Sequence, residues 1–138
     1  MSPPRLSIPL IAMLAGAAGA LAAGVAARRW LDAVEVRGSS MAPTLLAGDW
    51  LLVESSTFRK RLPRAGELVL ASDPRQPARE LVKRVMAADQ EGRTLELRGD
   101  APEASTDSRD FGAVPAVTVR WRVLARYWPP SRAGRLNG

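Results

Sequence analysis

Leu6 to Ala27 runs for 22 residues without a charged side chain. As a helix it would span about 33 Å, close to the ~30 Å hydrocarbon core of a bilayer. Pro9 falls near the start of such a helix, where it is tolerated. Alanine and glycine fill most of the segment, so it would insert more weakly than a leucine-rich span. Its expected role is a membrane anchor. Two other readings compete. Arg5 and Ala20-Leu21-Ala22 resemble the basic start and cleavage site of a secretory signal peptide, and an alanine-rich helix can also lie buried in a soluble protein.

The remainder reads as short strands. Asp49–Glu54, Glu67–Ala71, Glu80–Ala87, Arg93–Arg98 and Val117–Trp128 are apolar or alternating runs. Gly48-Asp49, Pro63 to Gly66, Asp73-Pro74, Glu91-Gly92 and Gly99-Asp100 are turn signals between them. Alternation such as Thr94-Leu95-Glu96-Leu97-Arg98 implies strands with one wet face. The expected fold is mainly β: a compact, mostly antiparallel β domain preceded by one N-terminal transmembrane helix. The expected boundaries are 1–29 for the anchor and its flanks, 30–128 for the β domain and 129–138 for a loose C-terminal tail.

The 138 residues contain neither cysteine nor histidine. That excludes disulfides, a cysteine nucleophile, the usual zinc sites and a Ser-His-Asp triad. No metal or cofactor is expected. A hydrolase built from this chain must use Asp, Glu, Lys, Tyr or a terminal amine as its base. The net charge is +6, yet the arginines are scattered and no nucleic-acid motif is present, so nucleic acid is not an expected partner. Of the 20 basic residues only Lys60 and Lys83 are lysines. Arginine stays protonated, whereas a buried lysine can lose its proton. Lys60 sits among arginines in a polar stretch. Lys83 sits in the apolar run Leu81-Val82-Lys83-Arg84-Val85-Met86, where a neutral amine is feasible.

Three segments carry candidate chemistry. Gly38-Ser39-Ser40-Met41-Ala42-Pro43-Thr44-Leu45 combines small residues with a stiffened turn; a serine there is either a nucleophile or a turn residue bonding its own backbone. Lys83-Arg84 on a strand would point to opposite faces; Lys83 is either a base in a dry site or a lysine snorkelling at an edge. Gly99 to Gly112 is a polar loop in which Asp107 and Arg109 can brace each other, or an ordinary surface loop.

The order Ser-Met-x-Pro-Thr-Leu, then Lys-Arg, then Gly-Asp…Ser-x-Asp-Ser-Arg-x-x-Gly resembles the bacterial type I signal peptidase family of Ser-Lys serine proteases. The resemblance covers Val36 to about Val114, and the N-terminal segment fits it. It implies Ser40 as nucleophile and Lys83 as general base. It implies Ser105 as the hydroxyl that orients the lysine, with Asp107 and Arg109 as a supporting ion pair. Gly38 and Ser39 fall beside the oxyanion site, to which the Ser40 backbone N–H would donate. Met41 and Pro43 are expected on the substrate side. The implied activity is endoproteolytic removal of signal peptides from precursor proteins at the bilayer, with small residues before the cut. The chain departs from the family in three places: Gly38 stands where some members have an oxyanion serine, Ala101 follows Gly-Asp where asparagine is frequent, and only Met86 to Arg98 separates the second and third segments.

A single-pass protein of the cell membrane is expected. The family resemblance places the domain outside the cytoplasm, while Arg28, Arg29 and Arg37 favour the cytoplasmic side. Asp107 to Pro115 and Arg126 to Pro129 also resemble the nickel-type superoxide dismutase maturation proteases, which implies propeptide trimming in the cytoplasm. Self-cleaving repressors of the SOS response share the dyad but carry a DNA-binding region where this chain has its uncharged segment. The non-enzymatic alternative is a membrane-anchored basic binding module that has no use for the Ser40/Lys83 pair.

Overall fold

After its glutamate, the run Glu67–Ala71 is apolar at every position, the pattern of a strand covered on both faces. The computed structural model, which describes residues 30–136, places this strand at the centre of one sheet. The strands are β1 (Leu31–Glu35), β2 (Trp50–Glu54), β3 (Leu68–Asp73), β4 (Gln76–Asp89), β5 (Thr94–Arg98), β6 (Val114–Pro115), β7 (Trp121–Trp128) and β8 (Gly134–Arg135). Their spatial order is β1-β2-β7-β3-β4-β5-β6, with β8 on β7. Every pairing is antiparallel, as the alternating runs predict.

Successive side chains of β3 leave on opposite faces and feed two cores. Leu68 and Leu70 pack with Met41, Leu45, Leu51, Val53 and Val123. Val69 and Ala71 pack with Val85, Leu95, Leu97 and Val119. Fully burying such a side chain is worth about 1.5–3 kcal/mol, so the central strand couples both halves of the sheet. The expected long strand Val117–Trp128 starts only at Trp121, because Ala116–Thr118 forms a 3-10 turn.

Strand β4 outruns its neighbours. It pairs with β3 from Gln76 to Arg84 and with β5 only from Arg84 onward. Its first half therefore keeps one backbone edge open among the described residues. β1 ends the sheet and pairs with β2 alone among them. These two open edges flank the cleft described below.

The segment from Pro129, expected to be a loose tail, is tied down as far as Leu136. A 3-10 turn at Pro130–Arg132 returns the chain so that β8 pairs with β7, and the Leu136 N–H donates to the Leu124 carbonyl. The anchoring charge is Asp49, 2% exposed. It accepts from Arg132 Nη1 at 2.8 Å, from Arg126 Nη1 at 3.2 Å and from the Leu46 N–H at 2.9 Å. Asp49→Ala would leave both guanidinium groups without their acid, and is expected to cost about 3 kcal/mol. Urea unfolding measures this; an unchanged midpoint would show that the clamp does not hold the C-terminal segment.

The expected anchor, Leu6–Ala27, lies outside the described residues. Among the described residues no helix is long and apolar enough to cross a membrane.

Candidate active site

The 36–49 loop between β1 and β2 is pinned at its base. The Val36 N–H donates to the Asp49 carbonyl at 2.8 Å, and the Gly48 N–H donates to the Val36 carbonyl at 2.9 Å. Met41 and Leu45, four residues apart, are joined by a backbone hydrogen bond and drive into the first core. Ser40 precedes that buried methionine and stays half-buried, facing the cleft. Gly38 has φ +79°, a conformation that glycine adopts without steric cost.

Lys83 sits on β4 opposite Val69 of the central strand. It is 1% exposed, the largest fully buried side chain of the described residues. Its Nζ donates to Ser105 Oγ at 2.9 Å. Burial pushes the amine below its ordinary pKa. Asp107 opposes that shift, Arg79 and Arg109 reinforce it, and Asp110 again opposes it; the net direction is down. A lysine so placed can be neutral at a pH where a solvated one is a cation.

Arg84 leaves the strand elsewhere. Its guanidinium forks onto Asp100 with two bonds of 2.9 Å and donates to the Gly66 carbonyl. Asp100 also accepts from Thr44 Oγ1 at 2.6 Å. Thr44, Arg84 and Asp100 thus tie all three sequence segments together. Sequence reasoning did not assign this brace. Its only signal was an arginine and an aspartate that each start or follow a motif.

The third segment closes the site from below. Ser105 donates to Asp107 Oδ2 at 2.6 Å and accepts from Lys83 and from the Gly99 N–H. Asp107 is fully buried. Burial alone would push its carboxyl up. The Arg109 guanidinium, the Ser105 hydroxyl and the Gly99 and Arg109 N–H groups outweigh that and hold it well below the usual carboxylate range. Asp107 is also the N-cap of α1 (Ser108–Phe111), completing a capping box with Asp110. One carboxylate therefore starts the helical turn and fixes the serine that holds the lysine. Arg109 acts through Asp107, 2.6 Å away.

Ser40 and Lys83 line the same cleft of about 740 Å³, with Met41, Ala104 and Thr106 around them. Ala33 to Arg37 form one wall and Ala78 to Val82 the other. Gly38 and Ser39 line its rim. Met41 faces it but is chiefly a core residue, 2% exposed. Pro43, expected on the substrate side, is exposed and lies off the cleft lining. The Ser40 hydroxyl and backbone N–H make no hydrogen bond among the described residues.

Comparison with known proteins points to a serine peptidase. A family model described as "Signal peptidase, peptidase S26" matches residues 8–98. The chain belongs to the S26 signal peptidase family. It is 33% identical over 128 aligned residues to mitochondrial ATP-independent inner membrane protease subunit 1a of Arabidopsis thaliana, covering 78% of this chain and 76% of that one. It is 28% identical to mitochondrial inner membrane protease subunit 1 of Xenopus tropicalis, over 77% of this chain and 74% of the relative. The human subunit 1 is also 28% identical, over 72% and 71%.

Proposed function

We propose that this protein is a membrane-anchored serine endopeptidase that removes N-terminal targeting peptides from precursor proteins. The observation that carries this reading is the buried Lys83 amine, held by Ser105 in the cleft that also presents Ser40.

Neutral Lys83 takes the Ser40 proton as Oγ attacks the scissile carbonyl carbon. Such base–nucleophile contacts tighten in the substrate complex. The Ser40 N–H donates to the developing oxyanion, a contribution typically worth about 3–4 kcal/mol. Lys83 then gives its proton to the leaving amine as the acyl-enzyme forms. It next deprotonates the water that attacks the ester, and Ser40 is regenerated. Ser105 keeps the amine aimed throughout, while the Asp107–Arg109 pair keeps Ser105 from turning.

The open edges of β1 and β4 suit an extended peptide that pairs with both walls, in the manner of an added strand. Small residues before the cut suit a cleft whose lining includes Met41, Ala104 and Thr106. Ser40 follows Ala27 by 13 residues; at no more than ~3.6 Å each, the site works close to the membrane that the Leu6–Ala27 segment enters. In the names of its relatives, "inner membrane protease", the same location recurs.

The test uses full-length protein in detergent beside Ser40→Ala. Each is mixed with a secretory precursor carrying an Ala-x-Ala site and with a nickel superoxide dismutase precursor. Mass spectrometry reads new N-termini. Cleavage of the first, lost in Ser40→Ala, is expected. Cleavage of the second alone would replace signal-peptide removal with dedicated propeptide maturation. Cleavage that survives Ser40→Ala would remove Ser40 from the chemistry.

A further inference from the structure

A second cavity, of about 160 Å³, shares no lining residue with the cleft. We propose that it binds the phosphate group of an anionic bilayer lipid. Arg59, Arg93 and Arg120 surround it, and Phe58, Leu62 and Val117 supply apolar walls. None of the three arginines has an ion pair or side-chain hydrogen bond among the described residues. Glu54 Oε2 accepts from Ser56 and Thr57, Glu54 Oε1 is buried without a hydrogen-bond partner, and Glu67 pairs with Arg61 and Arg122, so none of these carboxylates pairs with the three arginines. Three unneutralised guanidinium groups around one hollow create a positive potential that an anion relieves. Guanidinium matches phosphate oxygens in a bidentate fork.

Two further observations favour a lipid over a free anion. Val117 is 84% exposed, the most exposed large apolar side chain of the described residues, and it stands at the rim of the arginine ring. A cationic hollow with an apolar lip suits a headgroup that continues into acyl chain. The cavity also lies where the chain arrives from its uncharged segment. Ser55, part of its lining, donates its N–H to the Trp30 carbonyl at 2.8 Å, and Leu31 pairs with Glu54. Trp30 follows Ala27 by three residues, at most ~11 Å, which keeps it within reach of a headgroup layer roughly 5–7 Å deep on each side. Tryptophan favours that layer. The placement of the pocket at the headgroup layer rests on reading Leu6–Ala27 as the anchor. Bound there, a lipid phosphate would fix the rotation of the domain about its anchor, and with it the direction in which the cleft meets a peptide leaving the bilayer.

The full chain is placed in nanodiscs of phosphatidylcholine alone, or of phosphatidylcholine with a third of phosphatidylglycerol, and amide exchange is followed by mass spectrometry. Exchange of segments 55–63 and 114–120 should slow about fivefold or more in the anionic discs. Combined Arg59→Gln, Arg93→Gln and Arg120→Gln should abolish that difference while the cleft segments stay unchanged. Equal exchange in both disc types overturns the proposal. So does equal protection in phosphatidylcholine discs supplied with inorganic phosphate, which would make the ligand a free anion. Flotation with phosphatidylcholine vesicles at alkaline pH reads the anchor separately. Flotation without lipid-dependent protection leaves the anchor and removes the pocket. Lipid-dependent protection in a chain that fails to float keeps the pocket and removes the anchor.

Discussion

Lys83→Met is expected to abolish cleavage and to raise stability at the same time. Loss of a general base from a coupled nucleophile–base pair costs roughly 10⁴-fold or more in turnover. The gain in stability comes from the same burial that lowers the pKa of the amine. Lys83 is 1% exposed, on the strand face it shares with Val69 and Val85 of the second core, and its charged form is disfavoured there. Methionine has nearly the same length and no charge to desolvate. Ser105 is not orphaned by the change, since the Gly99 N–H still donates to it and Asp107 still accepts from it. Replacing a buried charge in this way is worth about 1–3 kcal/mol at neutral pH, or several degrees in Tm for a domain of this size. A variant that is both dead and less stable would mean that Lys83 is a structural cation and not a tuned base.

The pH dependence carries the sign. Lys83 has a folded-state pKa below its unfolded value. Between those two values the unfolded chain holds a proton that the native chain lacks, so native stability rises with pH. Below the folded pKa the penalty is present in full; above the unfolded value it has gone. The Tm advantage of Lys83→Met should therefore be largest at low pH and shrink as pH climbs toward 10.5, the ordinary lysine value. Cleavage by the parent should rise over the same interval with its midpoint below that value, because only the neutral amine accepts the serine proton. Lys83→Arg keeps a cation at every pH and should be inactive throughout.

What could be read from the chain alone divides along the range of the interactions. The central strand was legible because Leu68, Val69, Leu70 and Ala71 are apolar in succession, and β5 because it alternates. The burial of Lys83 was legible because its neighbours are Leu81, Val82 and Val85. β1, with the sequence Leu31-Asp32-Ala33-Val34-Glu35, has no clear period, as suits an edge strand with a half-open face. The C-terminal segment reads as loop because its proline, glycine and arginine residues carry no pattern; what holds it is Asp49, 83 positions from Arg132. The brace through Asp100 reaches 56 positions to Thr44 and 16 to Arg84. Ion pairs at such separations leave no local periodicity.

Gly99→Ala is expected to be among the most damaging changes that add a single methyl group. The φ of Gly99 is not in the left-handed region, so the backbone itself would accept a side chain. Space forbids it. A Cβ built there falls 2.5 Å from the Ser40 carbonyl oxygen and 2.7 Å from Ser105 Cβ, and also collides with Ser105 Oγ. The first obstacle is main chain, whose position is fixed by the 2.8 Å bond from the Ala101 N–H. The second belongs to the serine that holds Lys83. The methyl group can be fitted only by separating the Ser40 loop from the Ser105 loop, which moves Ser40 away from the serine that holds Lys83. Overpacking against such partners costs about 3 kcal/mol, and a displacement near 1 Å in an active site costs on the order of 10²-fold in rate. Measured together, the urea midpoint should fall and kcat should drop with little change in KM, because the cleft walls on β1 and β4, where the peptide is proposed to pair, are not displaced. An active, fully stable Gly99→Ala would show that the two loops are not in contact at this point. Gly92→Ala is the control: the Cβ there meets the Asp89 side chain at 2.6 Å, a flexible carboxylate in an exposed turn that can swing aside, so cleavage should be unchanged.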